Sequence, residues 1–293
     1  MKWNKLLFKT LSTWRKAIGK KLLISVVGSV LFILGLSTGY GQERPFWEFG
    51  VGVGAVSFAD YLGSDRHRNW LLPVPYVVYR SERINVDRER ASGRLFRIDR
   101  LRLDLSLSGS VPVDSDDNPQ REDMPDLDPV LQFGPALEFD LYRTLPEGDR
   151  LFITLPLRSA FTVGFDEVRH IGWVSNPNLR YEKKRQTERG SWTTTTSFGP
   201  LFGDRRYHRY YYAVEPRFAT PDRPDFFTSG GFGGWRFSAG FSQRSGDFWY
   251  GAFIRYYNLT GAKFANSPLV ETDHSLVAGF GVAWIFARSD SAR

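Results

Sequence analysis

Residues Leu101 to Val113 read LRLDLSLSGSVPV, and their alternation decides the fold class. Leu101, Leu103, Leu105 and Leu107 fall on one side of an extended chain while Arg102, Asp104, Ser106 and Ser108 fall on the other, because successive strand side chains point to opposite faces. A helix would mix the two sets. The same two-residue period returns in Gln132 to Tyr142, where Phe133, Leu137, Phe139 and Leu141 oppose Gln132, Gly134, Glu138 and Asp140. It returns again in Leu151 to Val163, with Leu151, Ile153, Leu155, Leu157 and Phe161 on one face. Three such segments in a row predict antiparallel neighbours. A soluble β-sandwich would show the same alternation, so the choice between sandwich and barrel rests on the rest of the chain.

The formal charge is +7, and its location matters more than its size. Residues 1 to 41 hold seven cations (Lys2, Lys5, Lys9, Arg15, Lys16, Lys20 and Lys21) and no acid, so 32 cations face 32 anions over the remainder. That balance removes the electrostatic footprint of a nucleic-acid binder. There is no cysteine, which excludes disulfides and thiolate metal sites. After Lys20 and Lys21, the apolar run Leu22 to Leu36 (LLISVVGSVLFILGL) leads into the small residues Ser37, Thr38, Gly39 and Gly41. This is the order of a secretory signal peptide, and it falls short of the roughly 20 apolar residues of a spanning helix. The expected organisation is a signal peptide over 1–41, cleaved after Gly39 or Gly41, and a single domain over 42–293.

No later stretch approaches a transmembrane helix, so an exported chain that enters a membrane must do so as a closed barrel. The fold expected is all-β: an antiparallel up-and-down transmembrane β-barrel of about twelve strands. They are placed near 46–58, 70–80, 82–91, 97–110, 130–143, 149–163, 174–185, 190–202, 207–215, 232–244, 248–258 and 273–287. Merging the second with the third and losing one other would leave ten. Long connections are expected near 59–69, 111–129, 216–231 and 259–272. Trp235, Phe237, Ala239 and Phe241 alternate with Arg236, Ser238, Gly240 and Ser242, and the closing run alternates Leu276, Phe280, Trp284 and Phe286 with Ser275, Gly279 and Gly281. One face is apolar and aromatic; the other is small, or pairs Arg with Asp and Glu, as side chains sharing a lumen must. Arg102, Asp104, Glu138, Asp140, Arg158, Arg236 and Arg244 are the charges expected to point inward. They could brace the lumen or set the selectivity of a pore. Aromatic residues gather toward strand ends, among them Phe46, Trp47, Trp70, Tyr210 to Tyr212, Trp249 and Tyr250, as in interfacial girdles.

The sequence nominates no catalytic, cofactor or metal residue. Ser64, Asp65 and His67 contain the residue types of a hydrolase triad, but neighbours on one connection rarely align as nucleophile, base and orienter. The chain lacks the H-E-x-x-H and G-x-S-x-G patterns and a phosphate-cradling glycine loop. In the acidic run Asp114 to Asp128 (DSDDNPQREDMPDLD), Asp114, Asp116 and Asn118 imitate calcium ligands. Pro119 then stands where that loop needs Gly, and Pro125 where it needs a bidentate Glu.

Several local sequences together resemble the MipA/OmpV family, the MltA-interacting outer-membrane proteins of Gram-negative bacteria. They are YLGSD at Tyr61 to Asp65, MPDLDP at Met124 to Pro129 with FGP at Phe133 to Pro135, and FGPLFGD at Phe198 to Asp204. YYYAVEP at Tyr210 to Pro216, ATPDRPDF at Ala219 to Phe226, SPLV at Ser267 to Val270 and GVAWIF at Gly281 to Phe286 complete the set. Asp123 stands where many family sequences have Gly, and Phe286 is followed by ARSDSAR. The resemblance implies an outer-membrane barrel in contact with outer-membrane lipid. It also implies a scaffold joining a membrane-bound lytic transglycosylase to a bifunctional penicillin-binding protein in peptidoglycan remodelling; a small passive pore is the alternative. With a periplasmic N-terminus, residues 111–129 follow the fourth expected strand and face the periplasm. There Asp114, Asp116, Asp117, Glu122, Asp126 and Asp128 would present an acidic surface to a basic partner, with Met124 and Leu127 as apolar anchors.

Overall fold

The computed structural model describes residues 47–80, 84–87, 90–144, 148–164, 167–187 and 190–289; the proposed signal segment lies outside them. Alternating sequences become strands throughout: β1 (Trp47–Ala59), β2 (His67–Arg80), β3 (Ile84–Asp87), β4 (Arg90–Ile98), β5 (Leu101–Ser110), β6 (Val130–Arg143) and β7 (Arg150–Val163). They continue with β8 (Val168–Ser175), β9 (Asn178–Thr187), β10 (Gly190–Gly203), β11 (Gly231–Ser245), β12 (Phe248–Asn258) and β13 (His274–Arg288). One helix, α1 (Arg205–Tyr212), follows β10. All thirteen strands form one antiparallel sheet, in which β1 pairs with β2 and β13 while β10 pairs with β11. The succession of hydrogen-bonded neighbours therefore returns on itself, and the sheet is barrel-like.

β8 and β9 are successive parts of one pass. β7 pairs with β8 through Leu157↔Ser175 and with β9 through Thr154↔Asn178. The interruption is Asn176-Pro177: Pro has no N–H for the ladder, and the Asn176 side-chain amide donates instead to the Pro200 carbonyl at 2.7 Å. Counted as one pass, they reduce thirteen segments to twelve, of which β3 spans only four residues.

Two expected strand positions are corrected. The segments expected at 82–91 and 97–110 are instead β3, β4 and β5, because the chain reverses at Asp99-Arg100, with Asp99 at φ 38. Aspartate tolerates this left-handed conformation better than most side chains. Residues 111–129 consequently follow the fifth strand, not the fourth. They lie at the end of the sheet opposite Trp47 and Arg288, together with the connections 60–66, 204–230 and 259–273. The strand expected at 207–215 is α1.

The two faces are as the alternation requires. Leu105, Leu155, Trp235, Phe237, Phe241, Leu276, Phe280, Trp284 and Phe286 are all exposed, Phe280 at 65%. The intervening residues turn inward. At the end holding Trp47 and Arg288, Val74, Tyr76, Val78, Trp249, Ala283 and Ile285 pack together. Glu48, fully buried beside them, accepts from the Tyr76 hydroxyl at 2.9 Å and pairs with Arg244.

Candidate functional site

The opposite end is closed by the long connections, and the residues that build this cap are most of those quoted for the family resemblance. Tyr61, Val113, Met124, Leu127, Tyr211, Tyr212, Val214, Phe264 and Leu269 form one buried cluster. α1 is its centre. Asp204 caps the helix by accepting from the Tyr207 backbone N–H at 2.8 Å, and His208, Tyr211 and Tyr212, three and four residues apart, form its buried face. The helix seats on the sheet because Gly203 and Gly172 leave room: a Cβ at Gly203 would lie 2.5 Å from His208 Nε2, and one at Gly172 2.2 Å from Asp204 Oδ1.

Hydrogen bonds lock the connections to one another. The Tyr61 hydroxyl donates to the Leu269 carbonyl (2.8 Å) and the Tyr212 hydroxyl to the Leu62 carbonyl (3.0 Å). Ser267 Oγ donates to the Tyr212 carbonyl (2.7 Å), and the Tyr212 and Phe264 rings stack at 3.7 Å. Arg223 is buried and donates to the carbonyls of Gln120, Glu122 and Phe218, which ties 216–226 to 111–129. Burial holds the Tyr61, Tyr210, Tyr211 and Tyr212 phenols above their ordinary range and the Arg121 guanidinium below its own. All four phenols are therefore neutral hydrogen-bonding groups.

Of the nominated docking residues, the two apolar anchors are placed differently from expectation, while Asp114, Asp116, Asp117, Glu122 and Asp126 are exposed. Met124 and Leu127 belong to the cap core, so neither is available as an anchor for a partner. Asp114 caps the turn Ser115–Asp117, Asp126 accepts from the Ser115 N–H, and Asp117 meets Arg66 and Arg68. Asp128 is half-buried. Asp123 adopts φ 63, the left-handed region that Gly occupies at no steric cost. Ser64 and His67 do not form a dyad: Ser64 Oγ lies 3.3 Å from Glu271 Oε2, while His67 Nδ1 lies 3.1 Å from the Asp65 carbonyl. Among the described residues no group of three His, Asp or Glu is placed to hold a metal.

The inward charges are arranged as a braced lower wall and a bare waist. Arg102 reaches Glu138 and Asp140, each at 3.5 Å, and Arg150 bonds the same two carboxylates, Glu138 at 2.9 Å. Arg244 pairs with Glu48, and Asp104 is buried on the inner wall. At mid-height Arg158 donates to Gln132 (3.3 Å) and Ser106 (3.2 Å), and with Arg236 and Arg255 it lines two cavities. The lower is polar and holds about 160 Å³. The upper, about 260 Å³, is roofed by Tyr207, His208, Tyr211, Tyr212 and Phe264. Sequence reasoning missed Arg150 and Arg255. Arg150 opens β7 two residues before the buried Phe152, which its alternation reveals; Arg255 was hidden because β12 carries aromatic residues on both faces.

The sequence matches the family described as MltA-interacting protein MipA over residues 51–286. The chain belongs to this family. No curated protein matches it significantly. Among solved structures, this MipA-family chain is similar to the CymD monoaromatic hydrocarbon channel (11% identity, TM-score 0.33, covering 83% of this chain and 90% of that one). It is also similar to the Pseudomonas putida toluene transporter TodX (9%, 0.26, 87% and 74%) and to a Pseudomonas aeruginosa FadL homologue (8%, 0.27, 83% and 91%). At these TM-scores the likenesses decide nothing about function.

Proposed function

We propose that this MipA-family chain is a non-enzymatic β-barrel of the Gram-negative outer membrane whose capped lumen admits a small solute. The closed ring of pairings and the exposed apolar and aromatic band support the membrane barrel, since a lipid-facing sheet must leave no open edge. The observation that carries the solute reading is the 260 Å³ cavity directly beneath α1. The family-typical residues around it are spent on a roof over interior space rather than on an outward docking surface. The cluster around Tyr76 and Trp249 and the Arg244–Glu48 pair occupy the interior at the Trp47 end, so passage requires them to move, and the barrel is a gated path rather than an open hole. Planar-bilayer recording and liposome swelling test this. Solute entry with small, intermittent conductance supports it; absence of both from a correctly folded barrel overturns it.

The family's description, MltA-interacting protein, favours a second reading as an interaction protein. The resemblance extends it to peptidoglycan synthesis and remodelling, with a lytic transglycosylase and a penicillin-binding protein as the expected partners. Affinity capture from outer-membrane extract, with cross-linking in cells, is its test. Recovery of neither partner counts against it.

A further inference from the structure

Building on the solute reading, we infer that the lumen holds a site for a small organic anion: its acid group is bound by Arg158, Arg236 and Arg255, and its apolar or aromatic body lies under α1. The three guanidiniums come from β7, β11 and β12 and border both cavities, so they form the boundary between them. They are near enough to act electrostatically on one another, and like charges repel. Elsewhere inside the sheet arginines meet carboxylates, as Arg102, Arg150 and Arg244 do. Among the described residues no carboxylate lies within ion-pair distance of Arg158, Arg236 or Arg255. The acids nearest the cavities are engaged: Glu138 by Arg150, Asp60 by Arg68, and Asp104 in an interaction of its own. Arg158 has only neutral partners, Arg255 lies 4.8 Å over the Phe253 ring, and Arg236 is near Tyr257. Buried charges are normally paired, and arginine forks suit carboxylate geometry, so three converging cations next to empty space call for an anion.

The shape of the upper cavity narrows the class. Its roof is aromatic, His208 there is held neutral because burial lowers its pKa, and Asp60 at the cavity edge is paired with Arg68, which leaves that end without an unpaired charge. An apolar cavity of about 150 Å³ can hold benzene, so one of about 260 Å³ suits a ring or short chain with one acid group. A sugar phosphate would press its hydroxyls against the Tyr and Phe rings, and a cation would meet the three arginines.

Isothermal titration of the refolded full chain with benzoate tests the inference, with benzyl alcohol and benzylammonium as uncharged and cationic controls. Benzoate should bind, more weakly as salt rises, and should lose at least tenfold in affinity in R236Q/R255Q; neither control should bind comparably. Equal binding of benzyl alcohol, or unchanged benzoate affinity in the variant, overturns the inference. Thermal unfolding of the unaltered chain serves if the variant does not fold: benzoate should raise the midpoint more than benzyl alcohol does, and equal shifts overturn the site. Liposome entry of neutral solutes without benzoate binding would defeat the anion site and spare the solute reading. Benzoate binding without any solute entry would do the reverse.

Discussion

The guanidinium of Arg121 donates to the backbone carbonyl of Tyr211, 3.3 Å away, and so joins the connection after β5 to the buried face of α1. The same guanidinium bonds Ser115 Oγ and the Pro125 carbonyl, while Arg223 bonds the neighbouring Gln120 and Glu122 carbonyls. Two arginines thus hold the connections 111–129 and 204–230 together through backbone acceptors that hydrophobic neighbours could not satisfy.

Replacing Arg121 or Arg223 with Met should loosen the cap by about 1–3 kcal/mol each, because buried carbonyls lose charged donors. Limited proteolysis should then cut within 111–129 or 216–226, while the unheated protein should still run differently from the boiled one on SDS gels, as a closed hydrogen-bonded barrel resists detergent unfolding. Unchanged protease resistance in both variants would show that the apolar cluster alone holds the cap.

Acid should weaken the cap through His208. The residue is 2% exposed, and burial depresses its pKa below the usual 6.5, although the Ser229 carbonyl and Asp204 oppose this. Below about pH 6.5 the unfolded chain takes up a proton that the folded one resists, so this contribution to stability is complete above 6.5 and falls as pH drops toward the folded value. Thermal midpoints measured from pH 7.5 to 5 should fall more in the native chain than in H208F. Parallel curves would defeat the argument.

The register was legible wherever one face meets an interior and the other does not, as at Leu101 to Ser108 and Trp235 to Phe241. The period fails where the chain does something local. Tyr210 to Tyr212 favour strands by residue type, yet Asp204 as N-cap and the spacing of His208, Tyr211 and Tyr212 make the segment helical. Asp99 makes a reversal in a sequence without Gly, which moved residues 111–129 to the other end, while the helix in place of the strand expected at 207–215 kept 216–231 and 259–272 on the side first assigned. The cap arginines gave no periodic signal, since their carbonyl partners lie 90 or more residues away or on the same connection.

An arginine at Leu155 should cost on the order of 2–4 kcal/mol, the price of a cation on the lipid face near the midplane. Leu155 is 47% exposed, pairs across the strands with Leu137, and has no carboxylate partner to accept the charge. Phe in its place should fold normally. Urea unfolding in detergent and in lipid vesicles distinguishes the two, and equal stability of L155R and L155F in vesicles would contradict a lipid-facing sheet.

The cluster at the Trp47 end should act as the conductance barrier. Tyr76 is 1% exposed, bonds Glu48 and meets the Trp249 ring edge-on at 6.4 Å. Removing both rings in Y76A/W249A should raise single-channel conductance severalfold, with some loss of stability from the lost packing. A conductance equal to that of the native chain would place the barrier elsewhere.

The orientation of the cap can be read with one thiol, because the native chain has no cysteine. Ser115 is fully buried and unsuitable; Glu122 is exposed on the same connection. With the termini in the periplasm, twelve passes put residues 111–129 outside the cell, so a cysteine at position 122 should react with a membrane-impermeant maleimide in intact cells. A cysteine replacing Asp247, at the two-residue turn between β11 and β12, should react only after the outer membrane is opened. Asp247 also pairs with Arg288, an exposed contact whose loss should cost little. The reverse pattern would turn the cap toward the periplasm. It would place the solute cavity on the cell-wall side and return 111–129 to reach of a periplasmic partner, so this labelling decides which of the two functional readings is tested first.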